Sequence, residues 1–194
     1  MTARPVRVAV LVSGGGTNLQ ALLDALQQSP PSLARVTRVI SNRPDAGALA
    51  RARRAVPPVA TTVLRDPSDA AELLRALEDA DLVVLAGYLK LVPAAVVSRF
   101  RGRMINIHPA LLPDFGGPGM YGQHVHAAVL ASGARESGVT VHYVDEEFDR
   151  GQIIAQERVA VHPADTPETL AARVLEAEHR LLPRVVLDLA RRIG

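Results

Sequence analysis

Apolar residues along this chain fall into two kinds of short segment. Val6–Val12 (VRVAVLV), Arg35–Ser41, Val59–Leu64 and Asp81–Ala86 (DLVVLA) are rich in β-branched and aliphatic residues, the pattern of strands covered on both faces. Between them, Leu19–Gln27, Ala46–Ala55, Ser68–Glu78 and Ala94–Arg99 read as helices, with Ser68 as a cap and Pro93 in the first turn of the last. Strand and helix alternate. This predicts an α/β fold, a Rossmann-like, mostly parallel sheet with helices on both faces. A fifth strand opens MINIHPALLP (104–113) and must stop at His108–Pro109, because proline cannot continue a central ladder.

After Pro113 the pattern changes. Asp114–Gln123 (DFGGPGMYGQ) holds four glycines and a proline and reads as a loop. His124–Ser132 reads as a helix. Val139–Val144 alternates, with Thr140 and His142 expected to face outward, and Ile153–Val161 pairs with it as a hairpin around the acidic turn Asp145–Gly151. Thr166-Pro167-Glu168 opens a last helix that should kink or restart at Pro183. No repeat or low-complexity linker divides the 194 residues, which fit one domain.

Composition narrows the function. The chain is 48% hydrophobic, with three Phe, three Tyr and no Trp, so the core is aliphatic and base-stacking platforms are nearly absent. A net charge of +2 without a basic run argues against nucleic acid, and Arg51, Arg53 and Arg54 read as a solvated helix face. No apolar run reaches the roughly 18 residues of a membrane span. The absence of cysteine and of a signal-peptide pattern leads us to expect a cytoplasmic protein.

Two stretches carry candidate chemistry. Ser13-Gly14-Gly15-Gly16-Thr17-Asn18 joins a strand to a helix, so its amides can face an anion, and Thr17 or Asn18 can cap the helix. It matches neither a Walker A loop nor the dinucleotide fingerprint, and a tight turn that binds nothing is the other reading. Asn106 and His108, two residues apart on a strand, project into one space. They suit an oxyanion-stabilising amide beside a group titrating near neutrality, or a satisfied core Asn and a loop His. The carboxyl ends of the strands share one edge, and an acidic turn could reach it. With no obvious Ser or Cys nucleophile there, direct transfer to a substrate nucleophile is favoured, and a nearby carboxylate should raise the proton affinity of His108. His124, His126 and His142 with His108 fit no strong metal signature, so no metal is expected.

The segments SGGGTNLQALLDA (13–25), SNRPDAGALARAR (41–53), DLVVLAGYLKLV (81–92), MINIHPALLP (104–113), GVTVHYVDEEFDRGQII (138–154) and ETLAARVLEAEHRLLP (168–183) cover the chain end to end. In them the sequence resembles the phosphoribosylglycinamide formyltransferases, folate-dependent enzymes of purine synthesis. The resemblance implies the formyltransferase fold over 1–194, with a nucleotide-binding half (about 1–100) and a folate-binding, catalytic half (about 101–194). It implies transfer of a formyl group from 10-formyltetrahydrofolate to glycinamide ribonucleotide, by a monomer or homodimer with small-molecule substrates only.

The same resemblance implies residue roles. Asn106 would polarise the formyl oxygen. His108 would be the general acid/base, and Asp149 would pair with it. Gly16, Thr17 and Asn18 would hold the ribonucleotide, with Leu175, Glu176, Ala177 and Glu178 facing its glycinamide end. Leu89, Lys90, Leu91 and Val92, with Asn106 and Asp145, Glu146, Glu147, Phe148 and Asp149, would line the folate pocket. Lys90, the sole lysine, stands where the family commonly carries Arg. Leu112–Pro113 is the expected cis peptide.

Overall fold

The computed structural model describes residues 4–194. Seven strands form one sheet: β1 (Val6–Val12), β2 (Ala34–Ser41), β3 (Ala60–Val63), β4 (Leu82–Leu85), β5 (Met104–His108), β6 (Glu136–Tyr143) and β7 (Ile153–Ala160). Their spatial order is β3-β2-β1-β4-β5-β6-β7. The first five are parallel, and β6 and β7 add an antiparallel hairpin beside β5. The helices are α1 (Thr17–Gln27), α2 (Gly47–Arg54), α3 (Ala70–Ala76), α4 (Ala94–Arg99), α5 (Gln123–Ala131) and α6 (Pro167–Ile193).

The run of β1, apolar except at Arg7, is explained by its place between β2 and β4. Val6, Val8, Val10 and Val12 face the layer that holds Leu19, Leu22, Leu49 and the apolar stripe of α6. Ala9 and Leu11 face the opposite layer with Leu73, Leu77, Val96 and Phe100. Side chains alternate across a strand, so two covered faces require apolar residues at every position. Strand order reverses between β1 and β4, and a crevice opens outside the carboxyl ends there. Its floor is stitched together: Ser13 N–H donates to the Gly87 carbonyl at 3.0 Å, and Ser13 Oγ accepts from Leu89 N–H at 2.9 Å.

Several local expectations need correction. Gly16, in a left-handed conformation (φ 76°), is the N-cap of α1, so Thr17 and Asn18 sit inside the helix and cap nothing. A Cβ on Gly16 would lie 2.5 Å from Ala48 Cβ, so both φ and close packing demand glycine. The cap of α3 is Asp69, whose carboxylate accepts from Ala71 and Glu72 N–H, while Ser68 bonds Asp66. Pro93 is the N-cap of α4. Thr140 and His142 do not face solvent; both are buried, because loop and hairpin cover β6 on both sides. Thr140 Oγ1 donates to the Ala110 carbonyl at 2.7 Å and accepts from Leu112 N–H at 3.0 Å, which ties the loop after β5 to β6.

The last helix starts with the expected Thr166 cap, but it neither stops nor restarts at Pro183. Pro183 is buried between Leu181, Leu182, Val185 and Val186, and packing carries the helix across the missing hydrogen bond. The Leu112–Pro113 peptide is cis, as is Val56–Pro57. Among the described residues no helix is long and apolar enough to cross a membrane.

Candidate active site

A cleft of about 540 Å³ lies along the carboxyl ends of β1, β4 and β5. Antiparallel pairing places Asn106 opposite His142 and His108 opposite Thr140. Facing residues on adjacent strands bring their side chains together, and Asn106 Nδ2 lies 3.1 Å from His142 Nε2. His142 Nδ1 is 2.8 Å from the Tyr143 carbonyl, which accepts, so in the neutral ring Nε2 carries the lone pair. The amide is therefore oriented with its NH2 toward the cluster. That NH2 also donates to Asp149 Oδ1 at 3.2 Å.

Asp149 reaches this point from the turn between β6 and β7 and has a left-handed backbone, φ 57°. A non-glycine residue held there marks local strain at the site. Its Oδ2 accepts from Gly117 N–H at 3.0 Å and lies 3.5 Å from His108 Nδ1. A Cβ on Gly116 would come within 3.1 Å of Asp149 Cβ and 2.6 Å of Leu112 Cδ2, so glycine lets the loop close on the carboxylate. The same loop supplies the Phe115 carbonyl, 2.8 Å from His108 Nε2.

Charge follows from this packing. Burial is the largest influence on His108 and pulls its proton affinity below the ordinary histidine value. Asp149 and the Phe115 carbonyl oppose that pull, and His142 adds to it. Asp149 thus raises the proton affinity of His108, as expected, but the residue is only 3% exposed and desolvation outweighs that contribution. The Phe115 carbonyl accepts from His108 Nε2–H, which leaves Nδ1 as the ring nitrogen that faces Asp149. Burial disfavours the Asp149 carboxylate, but its place between the His142 and His108 rings and the Gly117 amide outweighs that and holds its pKa below the usual value. His126, also buried against the cleft, is pulled down by burial and by His108.

At the far end of the cleft, Asn18 Nδ2 donates to Glu178 Oε2. Burial raises the pKa of Glu178, and the Asn18 hydrogen bond acts against that rise. The cleft brings together Asn18, Leu175 and Glu178, the segment Leu89–Val92, Asn106, His108, and Asp145, Glu147, Phe148 and Asp149. Glu146 lines a separate, shallower depression with Arg101 and Arg150. Gly16 and Thr17 stand outside the cleft lining, Glu176 is exposed, and Ala177 is buried in the core. Three contributors were missed in the sequence: His142, and the backbone groups of Phe115 and Gly117. Pairing TVHY against NIH in antiparallel register could have found the first. A carbonyl and an amide leave no side-chain signal.

The formyl transferase family profile matches residues 6–186. The chain belongs to the formyl transferase family. It is 46% identical over 190 residues to the chloroplastic phosphoribosylglycinamide formyltransferase of Arabidopsis thaliana, covering 94% of this chain and 65% of that relative. It is 40% identical over 186 residues to the phosphoribosylglycinamide formyltransferase of Haemophilus influenzae, covering 93% and 85%. The crystal structure of the Anaplasma phagocytophilum phosphoribosylglycinamide formyltransferase superposes with a TM-score of 0.88 at 38% identity, covering 96% and 87%. This formyl transferase thus spans just under two thirds of the plant relative and most of the two bacterial ones. Among its described residues no group of three or more His, Cys, Asp or Glu side chains is placed to hold a metal ion.

Proposed function

We propose that this chain is a single formyltransferase domain over 1–194 that transfers a formyl group from 10-formyltetrahydrofolate to the amine of glycinamide ribonucleotide, in purine synthesis. The observation that carries the reading is the convergence of Asn106, His108 and Asp149, from one strand and a distant turn, on one wall of a ligand-sized cleft. A cleft of this volume suits a flat heterocycle with a tail. Apolar Leu85, Val92, Ile107 and Val144 can sandwich its ring, and the irregular segments Leu89–Val92 and Asp145–Asp149 can meet its polar edge with peptide groups. The folate, when bound, supplies a formyl carbon activated for transfer.

The chain's own groups do the rest. Asn106 Nδ2 donates to the formyl oxygen as negative charge develops there, and that oxygen competes with Asp149 Oδ1 and His142 Nε2 for the same two hydrogens. As the amine bonds to the formyl carbon, His108 takes up the amine's proton at Nδ1, and the resulting imidazolium, facing Asp149, returns that proton to the folate nitrogen as its bond to the formyl carbon breaks. A proton affinity lowered by burial suits His108 to a base that takes a proton and gives it up again, which favours direct transfer without a covalent enzyme intermediate. Glu178, held by Asn18, faces the acceptor amine, and the Gly14–Asn18 loop takes the phosphate. The protein works on small molecules as a monomer or homodimer, without nucleic acid, membrane or metal, in the cytoplasm.

The test is formyl transfer to glycinamide ribonucleotide by the wild type and by Asn106→Ala and His108→Ala. Turnover by the wild type and at least roughly hundredfold losses in both variants are expected. No transfer by the wild type would overturn the function, and full activity in both variants would overturn the roles.

A further inference from the structure

The glycine loop is shaped from behind by α2. Ala48 N–H donates to the Gly14 carbonyl at 3.1 Å, and Arg51 Nε donates to the Gly15 carbonyl at 2.8 Å. In a trans peptide the carbonyl and the following N–H point in opposite directions. Two successive carbonyls held toward α2 therefore turn the N–H groups of Gly15 and Gly16 to the other side. Gly16 in its left-handed conformation brings the free amides at the start of α1 to that same side, a concavity of the kind that binds anions. Asn18 connects this concavity to the cleft. It is nine-tenths buried, lines the cleft, and leaves its Oδ1 acceptor without a partner.

We infer that Arg51 is a positioning residue for a phosphomonoester. Its side chain fixes the Gly15–Gly16 peptide so that the loop amides form the phosphate seat, while the acceptor's N–H or O–H groups lie toward Asn18. The inference deepens the ribonucleotide reading and rests on it. Arg51 has a suitable setting: it is only partly exposed, its Nε is committed to a carbonyl, and its charge adds to burial in lowering the proton affinity of His179 on α6. The solvated-face reading of the Arg51, Arg53 and Arg54 cluster thus fails for one of its three members.

The experiment compares wild type, Arg51→Met and Arg51→Lys in steady-state formyl transfer, together with amide NMR shifts of Gly15 and Gly16 on titration with ribose 5-phosphate. Arg51→Met is expected to raise the KM for glycinamide ribonucleotide about tenfold, the scale of one charge-assisted hydrogen bond, with kcat and the folate KM within twofold. Arg51→Lys should restore part of the loss. A ribonucleotide KM within twofold of wild type in Arg51→Met, or an equal rise in both KM values, would overturn the inference. If the wild type forms no formylated ribonucleotide, the broader reading falls. The loop role then stands on saturable Gly15 and Gly16 shifts that weaken in Arg51→Met, and falls without them.

Discussion

In the proposed site the working groups inside the cleft are side chains, whereas those of the glycine loop next to it are peptide amides. Asn106, His108, His142 and Asp149 come from β5, β6 and a turn, and each is tied to at least one other or to a loop peptide within 3.5 Å. The glycine loop is local in sequence, is exposed at Gly14 and Gly15, and owes its shape to carbonyls held by α2. Groups that must move protons or meet developing charge need tuned proton affinities and fixed orientation, which burial and cross-bonding supply. An anchor for an anion needs only oriented N–H groups and an open approach. The two regions should therefore fail differently.

The largest effect is expected at the cross-bonded cluster. Asn106→Ala and His108→Ala should lower kcat by at least roughly a hundredfold while the ribonucleotide KM changes little, measured by steady-state formyl transfer. Asp149→Asn should lower kcat by tens-fold or more. It should also move an ionisation. Asp149 favours protonated His108 against the pull of burial, so its removal lowers the His108 pKa further and shifts the corresponding limb of the pH–rate profile toward acid. An unmoved profile would break the pairing.

At the loop, Gly16→Ala forces a Cβ against Ala48 in a left-handed conformation and should cost roughly 1–3 kcal/mol of stability, read by denaturant unfolding. A smaller effect concerns acid. His108 and His126 both bind protons less readily in the folded chain than in the unfolded one. Stability is then full above the unfolded value of about 6.5 and is lost as pH falls from there toward the folded values. The drop in Tm between pH 7 and 5.5 should shrink in His126→Leu. The smallest effect is expected at Glu146, which lies outside the main cleft. Glu146→Gln should leave both KM values within twofold.

Much of the fold could be read from hydrophobic patterning, because burial on both faces leaves continuous apolar runs such as Val8–Val12 and Leu82–Leu85. The site was legible where its groups sit at a strand end or a glycine turn, as Asn106, His108 and the Gly14–Asn18 loop do. Alternation misled at β6. The rule of polar-out assumes one wet face, yet His142 and Thr140 are covered by the loop after β5 and by the hairpin, where they find partners for their polar atoms. The start of α3 lies one residue beyond the expected Ser68 cap: Asp69 is the cap and accepts from Ala71 and Glu72 N–H. The direction of the His108 shift depended on burial against charge, and only packing decides that contest.

The most direct test is a double-mutant cycle on Asn106→Ala, Asp149→Asn and their combination, read as kcat for formyl transfer. If the cross-bonded cluster acts as one unit, the double variant will lose little more than the worse single variant. Losses that multiply, as for independent sites, would contradict it.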